Sequence, residues 1–251
     1  MEIYGLMGKK LEHSFSPKFF QQKFKHEKIK DATYQLYPLQ SIQEFNALIQ
    51  NNPKLSGLNV TIPYKTDIIP YLDKITSAAK EIGAVNTIKF ESSFKNLQLV
   101  GYNTDYLGFI ESLKPLLKPY HAKALVLGTG GSSKAVQYAL NQLKINYLMV
   151  SRNPDKQNQI DYSMLTKDLM AEYKIIINTT PVGMFPYTGQ KPDIPYFFLT
   201  RKHLLYDLIY NPGKTLFLQE GEKKGCLIKN GLEMLKIQAE YSWKIWNNIN
   251  F

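Results

Sequence analysis

Short, continuous apolar runs recur in the second half of the chain and constrain its fold more than any other feature. They occupy residues 122–127, 145–150, 174–178 and 204–207. A segment with a helical pattern, residues 131–143, separates the first two runs. Continuous apolar runs are typical of strands that are buried on both faces, because helices cover both sides of a parallel sheet. The pattern therefore predicts an α/β domain with a parallel sheet.

The first half of the chain also alternates between strand and helix patterns. We expect strands at residues 2–8, 33–39, 55–62, 84–90 and 97–102, and helices at 16–26, 41–50 and 103–117. Residues 230–248 predict a closing amphipathic helix. Pro115 and Pro119 end the helical pattern within residues 103–123, where we place a domain boundary. The expected architecture is α/β, with two domains that face each other across a cleft.

A glycine-rich turn follows the first apolar run of the second half. Gly128, Gly130 and Gly131 lie between that run and the next helical segment. This strand–turn–helix context is typical of dinucleotide-binding proteins, in which glycines let a pyrophosphate approach the helix N-terminus. Ser133 replaces the third glycine of the usual pattern. A purely structural glycine turn is the alternative interpretation.

The end of the second apolar run indicates which dinucleotide would bind. NAD-binding proteins usually carry an acidic residue there, about 20 residues after the glycine turn, for the ribose hydroxyls. This chain carries Arg152 and Lys156 instead. Cationic side chains pair with a 2′-phosphate, so the position favours NADP. An ordinary basic loop is the alternative.

The composition excludes several classes of protein. One Cys excludes an internal disulfide framework and a Cys-cluster metal site. No run approaches the ~20 apolar residues of a membrane span, and no secretory signal pattern is present. The net charge is +10, yet the basic residues are spread along the chain. We therefore expect a cytoplasmic protein whose basic surface attracts an anionic substrate and a phosphorylated cofactor, with no nucleic-acid or membrane partner.

Four polar strings mark strand ends or strand-to-helix junctions in the first half, at residues 13–17, 59–65, 83–87 and 101–105. Ligand sites of α/β sheets lie beyond the carboxyl ends of the strands. Ser and Asn side chains can bind a polyol, and a Lys can pair with a carboxylate or transfer a proton. The structural alternatives are helix caps at Ser16 and Asn103, a turn at Asn86, and a surface ion pair between Lys65 and Asp105.

Together with four later strings, these resemble the shikimate dehydrogenase family in the family's order, from Tyr4 to Ala239. The eight strings are HSxSP at 13–17, NVTxPxK at 59–65, GAVNT at 83–87, NTDxxG at 103–108, GTGGS at 128–132, NTTPVGM at 178–184, YDxxYxP at 206–212 and NGxxMxxxQ at 230–238. One such string is weak evidence, whereas eight in order are highly specific.

The resemblance implies NADPH-dependent, reversible reduction of 3-dehydroshikimate to shikimate, a step toward chorismate and the aromatic amino acids. It also implies that residues 1–104 with 231–251 form the substrate-binding catalytic domain. Residues 105–230 would form a Rossmann-type NADP-binding domain. The chain would be a monomer or a homodimer, and it would need no metal.

The same resemblance implies roles for individual residues. Lys65 would be the catalytic acid/base, with Asp105 beside it, because reduction of a ketone creates an alkoxide that needs a proton donor. Ser14 and Ser16 would bind the substrate carboxylate. The hydroxyl-binding residues would be Thr61, Asn86, Asp105 and Gln238, with Tyr210 nearby. The cofactor-binding residues would be Gly128, Thr129, Gly130, Gly131, Ser132, Ser151, Arg152, Asn153, Lys156, Leu208 and Gly231.

The chain departs from the family pattern at a few positions. Lys9 and Lys10 replace a common Asn/Asp-Pro pair, Ser151 replaces the usual Asn, and Lys156 replaces a common Arg. The cationic charges remain, so we expect the preference for NADP over NAD to be retained. Three alternatives stay open: a quinate/shikimate dehydrogenase with looser substrate or NAD preference, a catalytically silent ligand sensor, and a basic nucleic-acid-binding protein.

Overall fold

The computed structural model describes residues 1–12, 14–92, 97–155 and 157–250 of the chain. His13 and Lys156 therefore lie outside the described residues. The chain divides into two compact units. The first comprises Met1–Thr104 and Gln238–Phe251, and the second comprises Asp105–Ile237.

The first unit contains a six-stranded sheet with helices packed against it. Its strands are β1 (Glu2–Gly8), β2 (Ala32–Pro38), β3 (Leu55–Val60), β4 (Lys74–Ile75), β5 (Thr87–Ser92) and β6 (Leu97–Tyr102). Its helices are α1 (Ser16–His26), α2 (Phe45–Asn51) and α3 (Ser77–Ile82). The strand order is β2-β1-β3-β5-β6-β4. The strand β1 pairs in parallel with β2 and β3, whereas β5 runs antiparallel to both β3 and β6.

The second unit has an all-parallel sheet among its described strands, as the apolar runs predict. Its elements are α4 (Asp105–Leu113), β7 (Lys123–Leu127), α5 (Gly131–Gln142), β8 (Asn146–Val150), β9 (Gln159–Ile160), α6 (Lys167–Glu172), β10 (Ile175–Asn178), β11 (Leu204–Asp207), α7 (Leu216–Lys223) and β12 (Leu227–Lys229). The strand order is β12-β11-β10-β7-β8-β9. The chain leaves β7 in one direction and later returns to its other side, so the end of β7 is a topological switch point.

Both faces of this second sheet are buried. Ala124 and Val126 pack into one apolar cluster, whereas Leu125 and Leu127 pack into another on the opposite face. Successive side chains of a strand point to opposite faces, so a strand covered on both sides must be apolar at every position. This explains the continuous apolar runs of the sequence.

The closing helix α8 (Leu232–Trp246) contributes to the core of each unit. Met234 belongs to an apolar cluster of the second unit, and Trp243 and Trp246 belong to one of the first. The ring of Trp246 stacks on Tyr4 at a centroid distance of 4.8 Å, and its Nε1 donates to the carbonyl of Ile88 at 3.0 Å. None of the helices in the described ranges is long and apolar enough to cross a membrane.

Two local interpretations of the sequence are wrong. The N-cap of α1 is Phe15, and Ser16 is already the first helical residue, so Ser16 is not the cap. The predicted helix at 103–117 ends at Leu113 as an α-helix and continues as a 3₁₀ turn over Lys114–Leu116. Pro115 explains the change, because proline cannot donate the backbone hydrogen bond that would extend an α-helix.

Candidate functional site

The turn that carries Thr61 and Lys65 follows β3. Backbone hydrogen bonds connect this turn to two other segments of the first unit. The amide of Thr61 donates to the carbonyl of Met7 at 2.9 Å, and the amide of Val85 donates to the carbonyl of Lys65 at 2.7 Å. Gly8 is needed beside this turn, because a Cβ there would lie 2.5 Å from Cγ2 of Thr61. The backbone beneath the half-buried Lys65 is therefore fixed.

Asn86 and Gln238, two predicted substrate-binding residues, lie side by side in the first unit. Both are buried, and Nδ2 of Asn86 donates to Oε1 of Gln238 at 3.2 Å. Oδ1 of Asn86 accepts from the amide of Thr104 at 2.7 Å, and Nδ2 also donates to Oγ1 of Thr104 at 2.9 Å. The side chain of Asn86 thus joins three segments that are far apart in sequence, rather than closing only its own turn.

A second set of buried polar side chains supports this pair. Asn59 donates from Nδ2 to Oγ of Ser242 at 2.9 Å and to Oγ1 of Thr87 at 3.2 Å. Thr87 and Ser242 share a hydrogen bond of 2.8 Å, and Ser242 donates to the carbonyl of Gln238 at 3.0 Å. A fully satisfied buried network restricts each member to one orientation. The sequence interpretation missed Thr87 and Ser242, although Ser242 follows Gln238 by one helical turn.

Ser16 connects to the same network through Tyr34. The hydroxyl of Tyr34 donates to Oδ1 of Asn59 at 2.8 Å. Burial raises the pKa of Tyr34, and a hydrogen bond with Ser16 opposes that shift. Ser16 is buried at the start of α1, whereas Ser14 is half-exposed and its amide donates to the carbonyl of Leu11 at 3.0 Å.

Asp105 and Tyr210 belong to the second unit. Asp105 is the buried first residue of α4, and Tyr210 follows β11 with its ring half-buried. Burial raises the pKa of the Tyr210 hydroxyl. The pairing of Lys65 with Asp105 stays a prediction.

A cavity of about 780 Å³ lies beyond the carboxyl ends of β7 and β8 in the second unit. Six predicted cofactor-binding residues line it, namely Gly128, Thr129, Gly130, Ser151, Arg152 and Asn153. Its wall also includes residues 179–182 and 191–193, as well as Asp161 and Tyr162, none of which was predicted to bind the cofactor. Gly131, Ser132, Leu208 and Gly231 are not among the described lining residues.

The glycine turn fits the pyrophosphate of a dinucleotide. Gly128 has a φ of +95°, a conformation that favours glycine, and a Cβ there would lie 2.6 Å from Cγ2 of Thr180. Among the described residues, no atom outside the adjoining backbone lies within 4 Å of the Cβ positions of Gly130 and Gly131, so a ligand can approach the backbone. Gly130 caps the N-terminus of α5, where first-turn amides and the helix dipole favour an anion.

The residues that follow the glycine turn and β8 agree with this fit. Ser133, which replaces the third glycine, is buried, and its Oγ donates to the carbonyl of Gly130 at 2.7 Å. The serine therefore braces the turn rather than obstructing it. After β8, Oγ of Ser151 accepts a hydrogen bond from the backbone amide of Asn153 at 3.2 Å. The side chain of Arg152, between them in sequence, is exposed. A parallel sheet with this turn at its switch point defines the Rossmann-type class of dinucleotide-binding proteins.

Comparison with known proteins identifies the family within that class. The family model for the shikimate dehydrogenase substrate binding domain matches residues 6–88. A Clostridium beijerinckii protein named shikimate dehydrogenase (NADP(+)) is 40% identical, over 98% of this chain and 92% of its own. A Methanococcus aeolicus protein of the same name is 38% identical, over 99% of this chain and 92% of its own.

A solved structure shows the same similarity in three dimensions. The crystal structure of a chorismate mutase/shikimate 5-dehydrogenase fusion protein from Clostridium acetobutylicum is 37% identical, with a TM-score of 0.88. The match covers 100% of this chain and 93% of that one. The chain belongs to the shikimate dehydrogenase family. The predicted family and the α/β architecture are thereby confirmed.

Proposed function

We propose that the protein catalyses the reversible, NADPH-dependent reduction of 3-dehydroshikimate to shikimate, on the route to chorismate and the aromatic amino acids. The observation that carries the proposal is the cavity at the end of β7 and β8. It combines an open glycine turn at a helix N-terminus with Arg152 at the end of the next strand. That combination suits a phosphorylated dinucleotide, and the relatives of this chain are named for NADP.

The residues of the second unit would hold the cofactor at both of its charged parts. The amides of the 128–132 turn suit the pyrophosphate, and Arg152 suits the 2′-phosphate, where a guanidinium can form two parallel hydrogen bonds. NADPH supplies the hydride when it is bound. The protein must then orient the substrate and provide one proton.

Lys65 provides that proton in this proposal. When the ketone carbon gains a hydride, its oxygen becomes an alkoxide, and the Lys65 ammonium donates a proton from Nζ to that oxygen. The resulting neutral amine regains a proton from solvent. In the reverse direction the neutral amine accepts the hydroxyl proton. Asp105 would keep the ammonium oriented and would bind the neighbouring hydroxyl.

The polar residues of the first unit would bind the rest of the substrate. Ser14 and Ser16 would hold the carboxylate, and Thr61, Asn86 and Gln238 would hold hydroxyls, with Tyr210 of the second unit as a further contact. The side-chain amide of Asn86 already forms hydrogen bonds with Thr104 and Gln238. Such a preordered group loses little conformational entropy when a ligand binds.

The assignment of roles to the two units is part of the proposal. Residues 1–104 with the end of α8 would bind substrate, and the unit that begins at Asp105 would bind NADP. Residues 231–237 belong to the second compact unit, although the sequence places them with the substrate domain. The partners would be shikimate, 3-dehydroshikimate and NADP. We infer that the protein is cytoplasmic and that it is a monomer or a homodimer. Light scattering can distinguish these two oligomeric states.

The proposal is tested by the change in absorbance of the reduced cofactor. Shikimate and quinate are each assayed with NADP⁺ and with NAD⁺, and reactions without substrate serve as the control. Turnover should be fastest with shikimate and NADP⁺. Faster turnover of quinate, or of either substrate with NAD⁺, would favour the looser quinate/shikimate enzyme. No turnover with any pair, combined with saturable shikimate binding, would favour a ligand sensor.

A further inference from the structure

We infer that Asp207, acting through Asn178, is a positioning residue for the cofactor: it fixes the turn at residues 179–182 that forms one wall of the cavity. The inference rests on the proposed use of NADP. Neither side chain lines the cavity among the described residues, so both would act only through this turn.

The two residues end neighbouring strands of the second sheet. Asn178 is the last residue of β10 and Asp207 the last of β11, and they are register partners. Both are fully buried, and Nδ2 of Asn178 donates to Oδ1 of Asp207 at 3.0 Å. Asp207 is held in turn by the amide of Ile209 at 3.0 Å on Oδ1 and by the hydroxyl of Thr215 at 2.6 Å on Oδ2.

The carboxylate of Asp207 determines the orientation of the side-chain amide of Asn178. An ionised carboxylate only accepts hydrogen bonds, so Asn178 must present its NH₂ group to Asp207. Oδ1 of Asn178 then faces the turn, where it accepts from the amide of Thr180 at 3.1 Å and from its hydroxyl at 2.6 Å. Oγ1 of Thr180 accepts from the amide of Val182 at 3.2 Å. The hydrogen bonds thus continue from Asp207 into the turn.

The turn in question lies against the glycine turn. Thr179, Thr180 and Val182 line the cavity, and Cγ2 of Thr180 would be 2.6 Å from any Cβ at Gly128. A shift of Thr180 by a few tenths of an ångström would therefore change the space beside the pyrophosphate site. Loss of the Asn178 orientation should weaken cofactor binding without touching the substrate residues of the first unit.

Four variants separate positioning from general stability. Asn178→Ala removes the acceptor of Thr180, and Asp207→Leu removes the group that orients Asn178. Asp207→Asn is the conservative variant, because its Oδ1 can still accept from Asn178 and Ile209 while its NH₂ donates to Thr215. Thr215→Val is the matched control: it removes the hydroxyl that donates to Asp207 and accepts from the amide of Leu218 at the start of α7, and it leaves Asn178 and Thr180 unchanged.

Cofactor affinity is measured directly, by titrating each variant with NADPH and following its fluorescence. We expect Kd to rise about tenfold in Asn178→Ala and Asp207→Leu, as hydrogen bonds that hold a binding wall are lost. Asp207→Asn and Thr215→Val should stay within about twofold of the wild type. The KM for shikimate should not change. Hydrogen exchange should accelerate at the amides of Thr180 and Val182 in the two weakened variants.

The outcomes are distinguishable. If Asp207→Leu does not fold, Asn178→Ala alone decides the test. Wild-type affinity in Asn178→Ala, or an equal loss of affinity in Thr215→Val, overturns the positioning role. A wild-type protein that does not bind NADPH overturns the proposed function instead.

Discussion

Leu208 and Gly231 are in backbone contact in the second unit, at a separation that leaves no room for a side chain on Gly231. A Cβ at that position would lie 2.0 Å from the carbonyl oxygen of Leu208. The amide of Gly231 also donates to the carbonyl of Ile209 at 3.1 Å. The glycine therefore lets the chain that follows β11 pack directly against the start of α8.

Gly231→Ala should destabilise the protein by forcing this contact apart. Overpacking typically costs about 1–3 kcal/mol of unfolding free energy, which urea denaturation measures. Gly213→Ala is the matched control, because, in the part of the chain that the structure describes, no atom other than those of its chain neighbours lies within 4 Å of its Cβ position. It should change stability by less than about 1 kcal/mol. Equal losses in the two variants would contradict the packing explanation.

Lys65→Ala should lower kcat by about 10²–10⁴, the usual range for a lost general acid/base, with KM changed much less. The measurement is steady-state kinetics with shikimate and NADP⁺, and circular dichroism verifies the fold. Near-normal kcat in a folded variant would remove Lys65 from the mechanism.

Lys65 and Asp105 should act as one catalytic pair. The kinetic loss in a double variant should then be clearly smaller than the product of the two single losses, because each single change already disables the pair. A double-mutant cycle on kcat/KM with Lys65→Ala and Asp105→Ala measures this. Fully multiplicative losses would show that the two residues work independently.

Arg152→Ala should raise the KM for NADP⁺ about tenfold or more, since a charge-assisted hydrogen bond contributes about 1.5–3 kcal/mol. NAD⁺ lacks the 2′-phosphate, so its KM should change far less, apart from any lost stacking of the guanidinium on adenine. Lys54→Ala, an exposed change of equal charge in the first unit, is the control. Equal losses for both cofactors, or a wild type that prefers NAD⁺, would refute the role of this loop.

Asp207 should make stability depend on pH. Burial raises the pKa of its carboxyl from 3.8 to about 6 in the folded protein, against the opposing hydrogen bonds from Thr215, Ile209 and Asn178. The folded state thus binds this proton more tightly than the unfolded state. The associated stabilisation is fully present below pH 3.8 and is lost as the pH rises through 6. Two pKa units correspond to about 3 kcal/mol.

Urea denaturation of the wild type and Asp207→Asn between pH 4 and 7 isolates this contribution. The wild type should lose about 2 kcal/mol relative to the variant as the pH rises across that range, because asparagine does not ionise and part of the full effect is already lost at pH 4. Other acidic groups titrate equally in both proteins and cancel in the difference. A constant difference at all pH values would show that Asp207 does not titrate there.

The sequence predicts those parts of the fold that depend on local pattern. The strand β1 follows from the strand pattern at residues 2–8, and the turn after β7 follows from glycine spacing; both lie where expected. The strands β4 and β9 have two residues each, which is too short for an alternation of apolar and polar residues to be recognised. The sequence pattern therefore could not reveal them.

The supporting side chains of the site depend on tertiary register instead. Asn178 and Asp207 belong to two of the eight strings that resemble the family, but only the pairing of β10 with β11 makes them partners. Thr87 and Ser242 likewise meet only after α8 packs onto the first sheet. A hydrogen bond between residues 155 positions apart has no local signal.

The placement of α8 has a consequence for synthesis on the ribosome. The first unit needs Trp243 and Trp246 for its apolar core and Ser242 for its buried polar network. These residues are translated after every residue of the second unit, which ends at Ile237. Nascent chains generally fold domain by domain as they emerge. Here the second unit can form most of its core, except for Met234 of α8, before the residues of α8 that the first unit needs are translated, whereas the first unit stays incompletely packed until α8 leaves the ribosomal tunnel.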